Sequence, residues 1–248
     1  MTLAKHLACS GLWLATSLGH AEPLIKPTAI DWQLDCSLPG VERLDPSVLE
    51  RTQCGLVSVP RNYAAPGQGN LRLRVTRVGA RQPLSREGLI FVQAGEAPSN
   101  KTAGTFAVHL ASRWGSYATQ AYRTLLNRYD IIELDPRNLD QANAVEQAAQ
   151  DMEFVRAQLG DAQLHYLGNA EATRLGSRYA ELFSERVARM VLVNAAPFAP
   201  SAAQVQQVHL KGANNCVMQW IGDFLAYGKQ PPPSTRCLDS GGGNDTLR

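Results

Sequence analysis

Residues Leu164-His165-Tyr166-Leu167-Gly168-Asn169-Ala170-Glu171-Ala172-Thr173 hold a short apolar run, a turn of small residues and the start of a helix, with no spacer between them. The run Leu164 to Leu167 does not alternate apolar with polar residues. That suits a strand buried on both faces, as in a parallel sheet. After the turn, Leu175, Tyr179, Leu182 and Phe183 form a stripe at helical spacing. Three more apolar runs repeat the pattern: Leu89 to Val92, Ile131-Ile132 before Glu133-Leu134-Asp135, and Met190 to Val193. Between them Thr105 to Asn127 has room for one or two helices, and Val145, Ala148, Ala149, Met152, Val155 and Leu159 recur at helical spacing. Strands alternating with helices of this length predict an α/β fold with a mainly parallel sheet flanked by helices. No internal repeat is evident.

Upstream, Gly55 to Pro60 and Leu71 to Val78 alternate, and a turn with Pro66, Gly67 and Gly69 separates them. They read as an antiparallel pair whose arginines lie on a solvated face. Downstream, Val205, Val208, Val217, Trp220, Ile221 and Phe224 give residues 201–239 a helical reading, broken by Pro231-Pro232-Pro233. Residues 240–248 are a Gly-rich polar tail expected to be disordered.

Composition removes several classes. Of 248 residues, 44% are hydrophobic and 19% charged, enough apolar residue for a sizeable core. Lys plus Arg is 24 and Asp plus Glu is 22, a net charge of +2, which argues against nucleic acid as a partner. No phosphate loop, dinucleotide fingerprint or metal-ligand cluster is present, so no cofactor and no metal is expected. Residues 1–21 read as a signal peptide: Lys5-His6, the apolar Leu7 to Leu18, then Gly19-His20-Ala21. No membrane span is expected after its removal. Export, periplasmic or secreted, follows. Removing Cys9 with that segment leaves Cys36, Cys54, Cys216 and Cys237. Four cysteines allow three connectivities. The local pairs Cys36–Cys54 and Cys216–Cys237 are favoured because each closes a short loop outside the strand core, contributing ~3 kcal/mol apiece.

The order of these features resembles the α/β-hydrolase fold, and more narrowly the exported proline iminopeptidases and tripeptidyl aminopeptidases. The landmarks are Trp32 with Cys36, Cys54 with Val57 to Tyr63, Asp135-Pro136-Arg137, Tyr166-Leu167-Gly168, Leu175-Gly176, Tyr179-Ala180 and Arg186 to Leu192. In that family the strand-to-helix turn is the nucleophile elbow, Gly-x-Ser-x-Gly. Laid on this chain it is Gly168, Asn169, Ala170, Glu171 and Ala172. The nucleophile position is therefore Ala170, which has no hydroxyl. The family's oxyanion loop, Gly-Gly-Pro-Gly, becomes Gly95, Glu96, Ala97 and Pro98. A carboxylate there opposes a developing oxyanion. The resemblance places the acid and His after the nucleophile, but His209 is the only later His, within the helical reading, and Asp223, Asp239 and Asp245 follow it.

The resemblance thus implies the fold without its triad. Ser177 reads as a helix residue, His109 and His165 as packing residues, Glu171 as solvated, and Asp135 with Arg137 as a clamp across their own turn. Residues 22–200 form an α/β-hydrolase-like domain expected to lack the family's C-terminal strands. The strand at Met190 to Val193 then becomes a sheet edge, covered by Ser201 to Tyr227 or paired with another chain, giving a monomer or a dimer. The expected role is non-catalytic, binding a peptide or protein ligand. An active serine-type hydrolase with another nucleophile, and a truncated product without a role, are the alternatives.

Overall fold

The computed structural model describes residues 30–95, 104–137, 143–195, 204–209, 214–231, 236–238 and 244–246. The signal-peptide reading therefore lies outside the described residues. The elements follow in order: β1 (Ile30–Trp32), α1 (Pro46–Leu49), β2 (Thr52–Pro60), β3 (Asn70–Val78), β4 (Gly88–Gln93), α2 (Phe106–Ser116), α3 (Gln120–Arg128), β5 (Tyr129–Leu134), α4 (Ala144–Gln158), β6 (Leu164–Asn169), α5 (Ala172–Leu182), β7 (Val187–Val193), β8 (Val205–Val208), α6 (Asn215–Tyr227), β9 (Arg236–Leu238) and β10 (Asn244–Thr246).

β1 to β8 form one sheet in the order β1-β2-β3-β5-β4-β6-β7-β8. β1, β2 and β3 pair antiparallel, and β3 pairs antiparallel with β5. From β5 onward every neighbour is parallel. The four apolar runs are β4, β5, β6 and β7. Their residues alternate between two cores, which is why none of them shows a polar face. Ile90, Val92, Ile131 and Val191 meet α2, α3 and α6 through Val108, Trp114, Leu125 and Phe224. Leu89, Phe91, Ile132, Tyr166 and Leu192 meet α4 and α5 through Met152, Val155, Leu175 and Tyr179.

Both local cysteine pairs are disulfides, with Cα–Cα distances of 5.0 Å for Cys36–Cys54 and 5.6 Å for Cys216–Cys237.

Three expectations need correction. Residues 201–239 are not helical throughout: Val205–Val208 is strand β8, paired parallel with β7 from Met190↔Val205 to Val193↔Val208. That takes up the side of β7 expected to be a free edge. Valines three residues apart suit a helix stripe equally well, and the strand is fixed only by its partner. α6 instead packs its Val217, Ile221 and Phe224 into the α2–α3 core. In the tail expected to be disordered, Asn244–Thr246 pairs antiparallel with Arg236–Leu238, beside the Cys216–Cys237 bridge. The Arg77 guanidinium is not merely solvated. It reaches Asp130 at 2.8 Å, joined there by Arg86 at 2.6 Å, which also grips Asp161.

Candidate functional site

In an open α/β sheet, ligands bind beyond the C-terminal ends of the strands. The turn at the end of β6 has the backbone shape of a nucleophile elbow. Ala170 sits at φ 48, a left-handed conformation that costs a non-glycine residue ~1–2 kcal/mol. The surroundings hold it there. Its amide donates to the Val193 carbonyl at 2.9 Å, and its carbonyl accepts from the Thr173 amide at 3.0 Å and the Thr173 hydroxyl at 2.6 Å. Beneath the turn, the Tyr166 hydroxyl donates to the Ala172 carbonyl at 2.7 Å. A Cβ at Gly168 would come within 2.6 Å of that ring, and one at Gly176 would overlap it, so both positions must stay small.

Gly95, at the end of β4, is built against the same turn. Its φ is 79, and a Cβ there would overlap the Asn169 carbonyl and lie 3.2 Å from the Glu171 amide. Gly95 is the first residue of the stretch that the sequence resemblance aligns with the oxyanion loop. Glu96, Ala97 and Pro98 lie outside the described residues, so the opposing carboxylate is not placed.

The exposed rim of the turn is polar. The Asn194 side-chain amide, at the end of β7, donates to Asn169 Oδ1 at 3.2 Å. Glu171 is exposed and faces Arg174 at 3.4 Å, a solvated pair as expected. Ser177 lies on the second turn of α5, half-buried. His165 is in the first half of β6, away from the elbow, edge-on to Tyr129 with ring centroids 4.9 Å apart. Burial first, and then the Arg189 charge, push its imidazole down to about 4. It is a packing residue, kept neutral. His109 is exposed on α2 and lines an outer groove with Leu44 and Arg113.

His209 is placed differently from its helical reading. It follows β8 directly and is exposed, at the same end of the sheet as the elbow. β7 lies between β6 and β8. Two strand spacings, roughly 9–10 Å, separate its strand from β6.

Asp135 and Arg137 do not clamp each other. Arg137 turns inward and binds Asp151 of α4 bidentately at 2.7 and 2.6 Å, and it donates to the Arg61 and Pro60 carbonyls. The Tyr63 hydroxyl completes Asp151 at 3.0 Å. Asp135 faces Arg74 instead, at 4.0 Å. Asp151, about two turns into α4, presents both carboxylate oxygens to the guanidinium at once. β5 also buries two acids, Asp130 and Glu133, and the sequence reading assigned Glu133 no role. Its position inside an apolar run was the available signal.

Residues 97–214 match the family profile described as alpha/beta hydrolase fold. The chain is 25% identical to a tripeptidyl aminopeptidase of Streptomyces lividans over 216 aligned residues, covering 66% of this chain and 37% of that one. A shorter stretch of 77 residues is 42% identical to the serine protease Hip1 of Mycobacterium tuberculosis, covering 30% of this chain and 14% of the protease. Among solved structures, juvenile hormone epoxide hydrolase from the silkworm Bombyx mori aligns at 14% identity and a TM-score of 0.42, over 58% of this chain and 36% of that one.

The mostly parallel open sheet and the family match give the chain an α/β-hydrolase fold. Within that fold it is similar to the aminopeptidase-like members, and it spans 37% of the length of the aminopeptidase it matches.

Proposed function

We propose that this chain is a non-catalytic binding protein, using the end of the sheet where its relatives are expected to hold a nucleophile. The observation that carries this reading is Ala170 at φ 48: the elbow's shape is kept and its reactive oxygen is gone. A methyl group cannot attack a carbonyl, and the neighbouring Thr173 and Tyr166 hydroxyls are engaged by the Ala170 and Ala172 carbonyls. The Asn169–Asn194 rim offers amide donors and acceptors, which match the repeating N–H and C=O of an extended peptide. A peptide or a protein segment is therefore the ligand class, in keeping with relatives named as peptidases. Two disulfides support export to an oxidising compartment, periplasmic or secreted.

The purified chain should bind members of a peptide library, and Asn169→Leu with Asn194→Leu should abolish binding while leaving the fold intact. Binding unchanged by both substitutions would remove the rim from the account. The second reading, an active hydrolase, draws support from His209 at the end of β8. Covalent labelling by a fluorophosphonate, mapped to one residue, would establish it over the first.

A further inference from the structure

On the face of the sheet that carries α2, β3 and β5 set four polar side chains in a two-by-two block. Thr76 lies directly opposite Glu133. Beside them Arg74 accompanies Asp135, whose amide donates to the Arg74 carbonyl at 2.9 Å. The start of α2 closes over the block. Glu133 Oε2 accepts from the Ala107 amide at 2.9 Å, and the amides of Phe106 and Gly104 also serve this carboxyl. The Gly104 amide serves Asp135 as well. A Cβ on Gly104 would lie 2.6 Å from Thr76 Oγ1, so Thr76, Glu133 and Asp135 converge on one backbone unit.

Glu133 is 7% exposed and Thr76 is fully buried. Two oxygens in the block, Thr76 Oγ1 and Asp135 Oδ1, are buried without a hydrogen-bond partner among the described residues. Water cannot replace a missing donor at a buried oxygen, so such atoms normally have one. The block holds two carboxyls but a single guanidinium, and that group is 4.0 Å from Asp135. One more proton would cancel the second charge and supply an O–H donor where the unpartnered oxygens lie.

We propose that the Glu133–Asp135 pair is a proton-binding site that fastens the start of α2 to the sheet, holding one proton between two carboxyls in the folded protein. Burial above all, with repulsion from Asp135, pushes Glu133 up to about 7, although the three amides pull the other way. Burial also raises Asp135, against the pull of Arg74. No further ionisable group faces the pair among the described residues. His109 and Arg113 of α2 line the outer groove. β4 carries none. The α3 residues Arg123 and Arg128 are engaged by Gln120 and Glu87.

An acid whose folded value is raised stabilises the fold below its unfolded range and loses that contribution as pH rises through the folded value. Stability should therefore decline as pH climbs from about 5 to about 8. Carbon-13 titration of the side-chain carboxyls in the full chain should give Glu133 a midpoint near 7. Asp135→Asn should move that midpoint down, because the repelling neighbour is gone. Glu133→Gln should flatten the fall of the thermal midpoint over the same pH range. A wild-type Glu133 midpoint below about 5 would overturn the proposal, and so would a midpoint unmoved by Asp135→Asn. Should Glu133→Gln fail to fold, the wild-type and Asp135→Asn titrations still decide.

Discussion

The C-terminal ends of β5 and β6, with β4 between them, are built in opposite ways. At β6 the turn is held by backbone hydrogen bonds and by small residues fitted around Tyr166, and no charged group takes part. At β5 three ionisable residues in five positions, Glu133, Asp135 and Arg137, are drawn into the fold and engaged there. The first end keeps a shape suited to chemistry without a reactive atom. The second keeps reactive groups and uses them to hold α2, α4 and the β2–β3 hairpin in place. The titratable side chains at the β5 end thus serve the fold, while the β6 end owes its shape to backbone hydrogen bonds and packing.

The largest effect should come from the charged end. Arg137→Ala leaves Asp151, whose side chain is 1% exposed, as a buried carboxylate without its cation. Breaking such a pair costs about 3–5 kcal/mol, measurable by chemical denaturation. A loss below about 1 kcal/mol would place the pair among solvent-screened bridges and erase half of the contrast. At the uncharged end, Gly95→Ala combines positive φ with overlap on the Asn169 carbonyl, and should cost about 2–4 kcal/mol. Gly160→Ala is the control, since its φ is 78 and nothing lies within 4 Å. It should cost about 1 kcal/mol, and equal losses at the two glycines would mean that Gly95 is not packed on the elbow. The smallest effect belongs to Ala170→Gly. Relief of the left-handed strain is offset by the greater freedom of glycine in the unfolded chain, so stability should stay within about 1 kcal/mol.

Much of this was readable from the residues. Four apolar runs gave four central strands because strands buried on both faces have no polar side to obscure them. The cysteine pairs were readable because each closes a short loop. The elbow position was readable through the family resemblance, laid on Gly168 to Ala172 between a strand and a helix. What escaped was decided by partners distant in sequence. Val205-Gln206-Gln207-Val208 becomes a strand only because β7 offers it a ladder, and His209 changes place with it. Arg137 chooses Asp151, 14 residues away on α4, over its near neighbour Asp135. Glu133 is carried by amides of α2, 26 residues earlier, and no local pattern announces that contact.

The central claim, an elbow retained without catalysis, is tested most directly by assaying the wild type and Ala170→Ser side by side against prolyl-peptide and ester substrates, with fluorophosphonate labelling of both. The account predicts background turnover and no labelling in the wild type. It predicts little gain in Ala170→Ser, because a hydroxyl without a positioned base contributes little. Stoichiometric labelling of the wild type, or a rise of several orders of magnitude in Ala170→Ser, would contradict it.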